Sequence, residues 1–458
     1  MNKTLILKLV LIFSTKAYCQ IIPTITNYNQ NIVWEKVFTD GPEGKVNRGL
    51  VDTDGNCAVI FMPPNSSRIH KVDGSNGELI WTRSISNTVG FGITELYDSS
   101  RVDYIVSGGF GNTQERWIAR LNGDDGSTIW DKTYQYPGNE NEFDGIRMTI
   151  IGTDGYIYAS GFVGADEAET IFIVYSGQAA VMKIDPFDGS EVWTDINPNS
   201  EYSIALVESS NGYIYSGGTR WAEDLSMTKL DFNGNRLWTE DIVNTTDIIP
   251  ADLCISENDI IYYGGHTERS GLGYPFDFSC VSVDTNMSLN WIKHYANPRG
   301  YSLNHIRNEL YGIKSGLDGI YMFGGTGDES DYSEINPPFL SSDIWNGWVV
   351  SINHNGDILQ SNIYCHEEVN TATEYGALIE NGYVIFNDTD AQGDLEVGIM
   401  KIINGSNSLN LPNYFPHKNH KNLIKVVDLL GRKSKQIKNH LFFYIYDNGT
   451  VEKKISLN

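Results

Sequence analysis

An all-β fold of repeated four-stranded units is predicted by two recurring phrases. The first is cleanest at residues 229–238 (KLDFNGNRLW): an alternating strand, a turn closed by Gly, and a second strand carrying Trp. It returns as KVDGSNGELIW (71–81), RLNGDDGSTIW (120–130) and KIDPFDGSEVW (183–193), and more weakly at 282–291, 351–360 and 401–410. The second phrase lies between copies of the first, as GTDGYIYASG (152–161), SSNGYIYSGG (209–218), SENDIIYYGG (256–265), GLDGIYMFGG (316–325) and IENGYVIFND (379–388). Asp-Gly or Asn-Gly between short β-rich runs signals a hairpin, because the tight primed turns need positive φ. Long amphipathic helical patterns are missing throughout.

Trp34, Trp81, Trp130, Trp193, Trp238 and Trp291 lie 47, 49, 63, 45 and 53 residues apart, and Gln360 takes the Trp position 69 residues later. Four strands at such a period describe a β-propeller. In the fourth unit the strands fall at about 202–208, 213–218, 226–231 and 236–242. Inner strands near residues 48, 91, 146, 203, 250, 308 and 374 make seven blades.

Taken in order, residues 1–19 read as a signal peptide. Lys3 and Lys8 precede and flank a short apolar core at 5–13, and Ala17 and Cys19 place small residues at −3 and −1 of a cleavage site. That core is too short to span a bilayer, and no transmembrane segment is expected later. The run at 32–38, with Trp34, has the form of an outermost strand but lacks inner strands before it. The last unit, roughly 373–403, has three strands and no Trp strand of its own. Joining the two completes the seventh blade and removes an open edge. The expected organisation is a leader at 1–19, a seven-bladed propeller at 20–412 closed by its N-terminal strand, and a small β-rich domain at 413–458.

The formal net charge is −25, yet residues 413–458 hold nine Lys or Arg against three Asp or Glu. The body is therefore more acidic than the whole. It repels phosphate backbones and anionic lipid, which excludes nucleic acid as an expected partner. Cys57, Cys254, Cys280 and Cys365 are scattered with no CxxC, which excludes the usual zinc, thioredoxin-like and c-type haem spacings. Cys254 and Cys280 fall in the first and third strands of the fifth unit. Non-adjacent strands sit nearly 10 Å apart, beyond the roughly 7 Å a disulfide permits, so these two are not expected to bond.

Residues 52–56 (DTDGN) begin like a calcium loop, but Pro63 stands where the twelfth-position Glu is needed, so they read as a turn and no metal site is predicted. His266, His294, His305, His354 and His366 are dispersed and read as surface or turn histidines. No catalytic residue is assigned. Two long intervals place extra residues at 162–180 and 326–348, each between the second and third strands of a blade. In an up-and-down meander these share one face, opposite the Asp-Gly turns. They hold Asp166, Glu167, Glu169, Tyr175, Asp328, Glu329, Asp331, Tyr332 and Trp345, with Phe172, Phe339 and Trp348. Acids interleaved with aromatics on a rigid scaffold suit a carbohydrate or protein ligand.

Asp73, Gly77 and Trp81, and again Asp185, Gly189 and Trp193, form D-x-x-x-G-x-x-x-W, which resembles the repeat of quinoprotein-type propellers across about residues 30–403. The resemblance implies that the Trp packs between blades. It implies no quinone here, because the adjacent cysteine pair and eighth blade of quinone-dependent members are missing; no cofactor is predicted. Residues 427–432 (VDLLGR), 444–451 (YIYDNGTV) and Lys453-Lys454 closely resemble the type A C-terminal sorting domain of the type IX secretion system. The signature positions are Asp428, Leu430, Gly431, Arg432, Tyr444, Tyr446, Asp447, Gly449, Lys453 and Lys454. This resemblance implies export across the outer membrane of a Gram-negative bacterium, with the type IX machinery as partner. The expectation is a secreted or cell-surface binding module; an extracellular polysaccharide hydrolase or lyase, and a purely structural or adhesive surface protein, are the alternatives.

Overall fold

The computed structural model describes the chain apart from residues 1–19, 22–25, 40–43, 99–100, 112–114, 137–141, 166–175, 221–222, 269–275, 297–306, 328–344, 367–369, 392–393, 405–422, 428–440, 447–450 and 456–458. The repeats form seven antiparallel four-stranded blades, and no helix occurs among the described residues. The inner strands are Lys45–Val51, Thr88–Asp98, Phe143–Ile151, Tyr202–Glu208, Ile248–Ile255, Arg307–Ser315 and Thr371–Ile379. Each touches the next, and the seventh returns to the first, so the ring is closed. The fourth blade, Tyr202–Glu208, Ile214–Thr219, Leu225–Leu230 and Arg236–Ile242, falls within a residue of expectation at each end.

The seventh blade closes as the two incomplete ends predict. Ile32–Phe38 pairs antiparallel with Asp394–Ile403, setting Trp34 opposite Lys401. The sequence does not announce the segment before it. Gln20–Ile21 pairs in parallel with Leu289–Tyr295, the outer strand of blade five, and Asn27–Tyr28 does the same on Ile358–Tyr364 of blade six. Backbone bonds from Asn29 N to Ile363 O (2.9 Å) and Ala296 N to Ile21 O (3.2 Å) fasten this strap to blades six and five.

Neighbouring blades are locked through the repeat phrase itself. Trp81 Nε1 donates to Gly123 O at 3.0 Å, and Lys71 Nζ donates to the same carbonyl at 2.9 Å. Trp130 and Arg120 share Pro186 O, Trp193 and Lys183 share Phe232 O, and Trp34 and Lys401 share Gly74 O. Each acceptor lies in the last turn of the following blade. A Gly with positive φ closes that turn against the indole; a Cβ on Gly126 would stand 2.9 Å from Trp81. The Gln at 360 now has a reason. Blade seven takes its outer strand from the N-terminus, so it has no such turn for an indole of blade six to dock on.

Apolar faces of adjacent blades meet to form the core, with Trp117, Trp348, Tyr263 and Phe278 fully buried. The four described cysteines are buried and unbonded, as expected for Cys254 and Cys280. The histidines correct expectation. His266, His294 and His366 are buried, His354 lies in a turn, where its Nδ1 meets Tyr262 Oη at 2.9 Å, and His305 lies outside the described residues. Short polar partners on neighbouring strands make burial affordable: Ser279 Oγ lies 2.9 Å from His294 Nδ1. Near the C-terminus, Leu423–Val427, Leu441–Tyr446 and Val451–Ile455 form a separate three-stranded antiparallel sheet.

Candidate loop-face site

Every inner strand carries a β-bulge at the same point, as between Val46 and Arg48, Pro250 and Asp252, and Thr373 and Tyr375. A bulge twists the strand and re-aims its side chains. Here the repeated bulge sends equivalent positions toward the ring axis. Arg48, Asp252 and Tyr375 occupy the position after it in blades one, five and seven. Arg48 donates to Tyr375 Oη (2.9 Å), Tyr375 donates to Asp252 Oδ2 (2.9 Å), and Lys314 Nζ reaches Asp252 Oδ2 at 3.4 Å. Asp252 is fully buried. Burial pushes its carboxyl up, but Lys314 and Arg48 outweigh that and hold it below the usual range. The channel is thus crossed by side chains.

A second cluster lies at the mouth on the face carrying the long connections, where blades six, seven and one meet. Lys45 and Arg307 open their inner strands there. Glu374 and Asp388 are buried side by side and hydrogen-bonded to each other. Asp388 Oδ1 also accepts from Val46 N at 2.7 Å, and Lys45 Nζ stands 4.0 Å from Glu374 Oε2. Burial raises Asp388 to about 7. Burial, and then the neighbouring Asp388 and Glu309, push Glu374 well above the usual carboxylate range. Glu309 pairs with Arg307 at 2.6 Å and accepts from Tyr311 Oη. The Arg307 guanidinium lies 4.3 Å from the Phe276 ring centroid, which adds an aromatic face to this rim. At blade three, burial raises Asp144 to about 6.

Of the predicted ligand residues, Asp166, Glu167, Glu169, Tyr175, Asp328, Glu329, Asp331 and Tyr332 lie outside the described residues, as does Phe172. Trp345 is half-buried, opening a third strand with its ring over Gly325. The insertions are shorter than expected. Second strands run on to Ala165 and Gly327, and third strands begin at Gln178 and Trp345. Phe162 and Trp348 are therefore core residues, with Trp348 stacked 4.2 Å from Phe278 and donating to Ser361 Oγ at 3.0 Å. The sorting positions Tyr444, Tyr446, Lys453 and Lys454 fall on strands of the C-terminal sheet; Asp428, Leu430, Gly431, Arg432, Asp447 and Gly449 lie outside the description. The axial residues were missed. Aligning inner strands by repeat places Arg48, Asp252 and Tyr375 in one column, and that signal was available.

Among the described residues no group of three or more His, Cys, Asp or Glu is placed to share a metal ion, and no helix is long and apolar enough to cross a membrane. Fold and site together define a seven-bladed β-propeller with a filled axis and a polar, partly aromatic mouth. A family model described as the outer membrane protein assembly factor BamB, of PQQ type, matches residues 114–273, within blades two to five. Hydrazine synthase of Kuenenia stuttgartiensis is similar in structure, with TM-score 0.53 and 10% identity over 80% of this chain and 97% of that one. The WD40 propeller domain of Doa1 aligns with TM-score 0.49 and 12% identity over 81% and 96% of the two chains. Likeness at such identities concerns the fold alone. No curated protein matches the sequence.

Proposed function

We propose that this chain is a secreted or cell-surface binding module, exported by the type IX secretion system, that meets its ligand on the loop face. One observation carries the binding reading: the two faces have different work. Short turns on one face supply the acceptors that lock blades one, two, three and seven to the blade that follows. The other face carries the long connections and the mouth rimmed by Phe276, Arg307, Glu309 and Tyr311. With the axis crossed by side chains, a ligand is met at that mouth. The export route is supported by the leader at 1–19 and by the tail, where the signature run 444–451 begins on the middle strand of a three-stranded sheet. Probing glycan and protein arrays with the secreted protein tests the reading. Reproducible hits that weaken in Tyr311→Ala support it; signal unchanged in that variant counts against this face.

A second reading, an extracellular polysaccharide hydrolase or lyase, is favoured by Glu374 and Asp388, since a raised carboxyl pKa is what a general acid needs. Their burial and the bond from Val46 suit blade closure better. A polysaccharide panel assayed for new reducing or unsaturated ends decides, with product that vanishes in Glu374→Gln shifting the reading to the enzyme.

A further inference from the structure

At five seams an indole donates to the same carbonyl of the next blade, that of the residue after the Asp or Asn opening its last turn. Trp34, Trp81, Trp130, Trp193 and Trp291 reach Gly74, Gly123, Pro186, Phe232 and His354 O at 3.0–3.1 Å. The seam of blades four and five departs from this pattern. In the blade-five turn Met287, at φ +66°, stands where the other five turns carry Gly. A Cβ on Gly189 or Gly234 would lie 2.8 or 2.7 Å from the indole docked there, so a side chain at Met287 keeps Trp238 from docking the same way. Thr285 O, in the acceptor's place, takes Tyr215 Oη at 3.2 Å instead. Among the described residues, Trp238 Nε1 has no hydrogen bond.

Lys229 lies directly across the strand pair from Trp238, as Lys71 does from Trp81 and Lys183 from Trp193. Lys71 and Lys183 share the indole's carbonyl and also pair with a carboxylate of their own blade, Asp52 at 3.5 Å and Asp154 at 2.6 Å. Ser209 and Asn211 occupy those two turn positions in blade four. Lys229 Nζ meets only ring faces, 4.2 Å from the Tyr213 centroid, 5.3 Å from Tyr215 and 5.9 Å from Trp238. It has no hydrogen bond or ion pair among the described residues. Asp259, in the adjoining turn of blade five, is engaged by Ser210 N and Oγ. Lys229, Tyr213 and Trp238 are half-buried, so both donors are partly stripped of water yet reachable. Ring faces attract the ammonium but accept no hydrogen bond from it in the manner of an oxygen. A carboxylate meets both needs, since it accepts from two donors and bonds to a charged one are the stronger kind. We propose that the seam of blades four and five binds a carboxylate, which accepts from Lys229 Nζ and Trp238 Nε1. The acidic body repels an anion only over about 10 Å at moderate salt, so these short contacts decide. The site lies on the turn face and does not depend on what the loop mouth binds.

The indole N–H resonance of Trp238 in the intact, nitrogen-labelled protein, identified by its loss in Trp238→Phe, reports on the site. Titration with glucuronate at constant ionic strength is expected to shift it saturably, and N-acetylalanine in its place separates a sugar acid from a peptide end. Lys229→Met is expected to weaken the apparent Kd by about tenfold, one charge-assisted contact's worth. Lys132→Met, an exposed cation elsewhere, is expected to leave it unchanged. Asn211→Asp puts a carboxylate where blade three has Asp154, so it is expected to engage Lys229 and weaken binding to a similar degree. That variant keeps the acceptor for Ser209 Oγ and serves should Lys229→Met fail to fold. No saturable shift with either carboxylate would overturn the proposal and leave both donors to water. An equal Kd in wild type and Asn211→Asp, or an equal shift with uncharged glucose, would overturn it too.

Discussion

Gly126 and Gly55 share a left-handed backbone, φ +71° and +84°, but not the same surroundings. A Cβ on Gly55 meets nothing within 4 Å, whereas on Gly126 it stands 2.9 Å from the Trp81 ring. Left-handed backbone alone costs an L-residue roughly 1–2 kcal/mol. Gly55→Ala is therefore expected to lose about 1 kcal/mol, and Gly126→Ala about 2–4 kcal/mol, once displacement of a docked indole is added. Denaturant unfolding of the two variants checks the difference; equal losses would show that the indole contact does not matter. Asp388 gives a second test at this scale. Its folded pKa of about 7 lies above the ordinary 3.8, so the native state keeps a proton that the unfolded chain gives up. Its contribution to stability is greatest below about pH 4 and is lost as pH rises toward 7. Asp388→Asn keeps an acceptor for Val46 N and removes the titration. Its Tm relative to wild type is expected to climb between pH 5 and 7.5, and a difference flat with pH would contradict the assignment.

Among the elements, the N-terminal strand carries the closure. Ile32–Phe38 contributes a whole outer strand, with Trp34 docked on Gly74 O, whereas Gln20–Ile21 and Asn27–Tyr28 contribute two-residue pairings. Deletion through Phe38 is expected to lower the melting temperature of the entire ring, because blade seven would expose an unpaired edge. Deletion ending at Tyr28 is expected to cost far less. Calorimetry of both truncations decides. A normal melt after the longer deletion would mean that blade seven stands on three strands. The sequence showed the partner of this strand because both ends were incomplete in complementary ways. It was silent on the strap, since a two-residue parallel pairing leaves no period to read.

For the molecule as a whole, the proposed export route assigns the sorting task to the basic, strand-patterned tail beyond residue 423. Removing residues 423–458 is expected to leave a folded propeller in the periplasm instead of the medium. Fractionation of cells expressing the truncated form checks this, and truncated protein recovered outside the cells would dismiss the sorting role.

Blade number, blade order and closure were legible from the chain alone, because each depends on periodicity: alternation within strands, Gly at obligate turns, Trp once per blade. Even the exception at Gln360 was written there, although its cause was not. The predicted ligand loops rested on composition, and their boundaries moved once Phe162 and Trp348 proved to be core. The buried histidines escaped for a similar reason, since burial depends on partners such as Ser279, which no local pattern reveals. Only the tertiary structure brought Arg48, Asp252, Lys314 and Tyr375 from four blades onto one axis, and Glu374 against Asp388 at the seam. A propeller's sequence repeats around a circle. The chemistry at its centre arises from residues as far apart along the chain as Arg48 and Tyr375, which meet only when the circle closes.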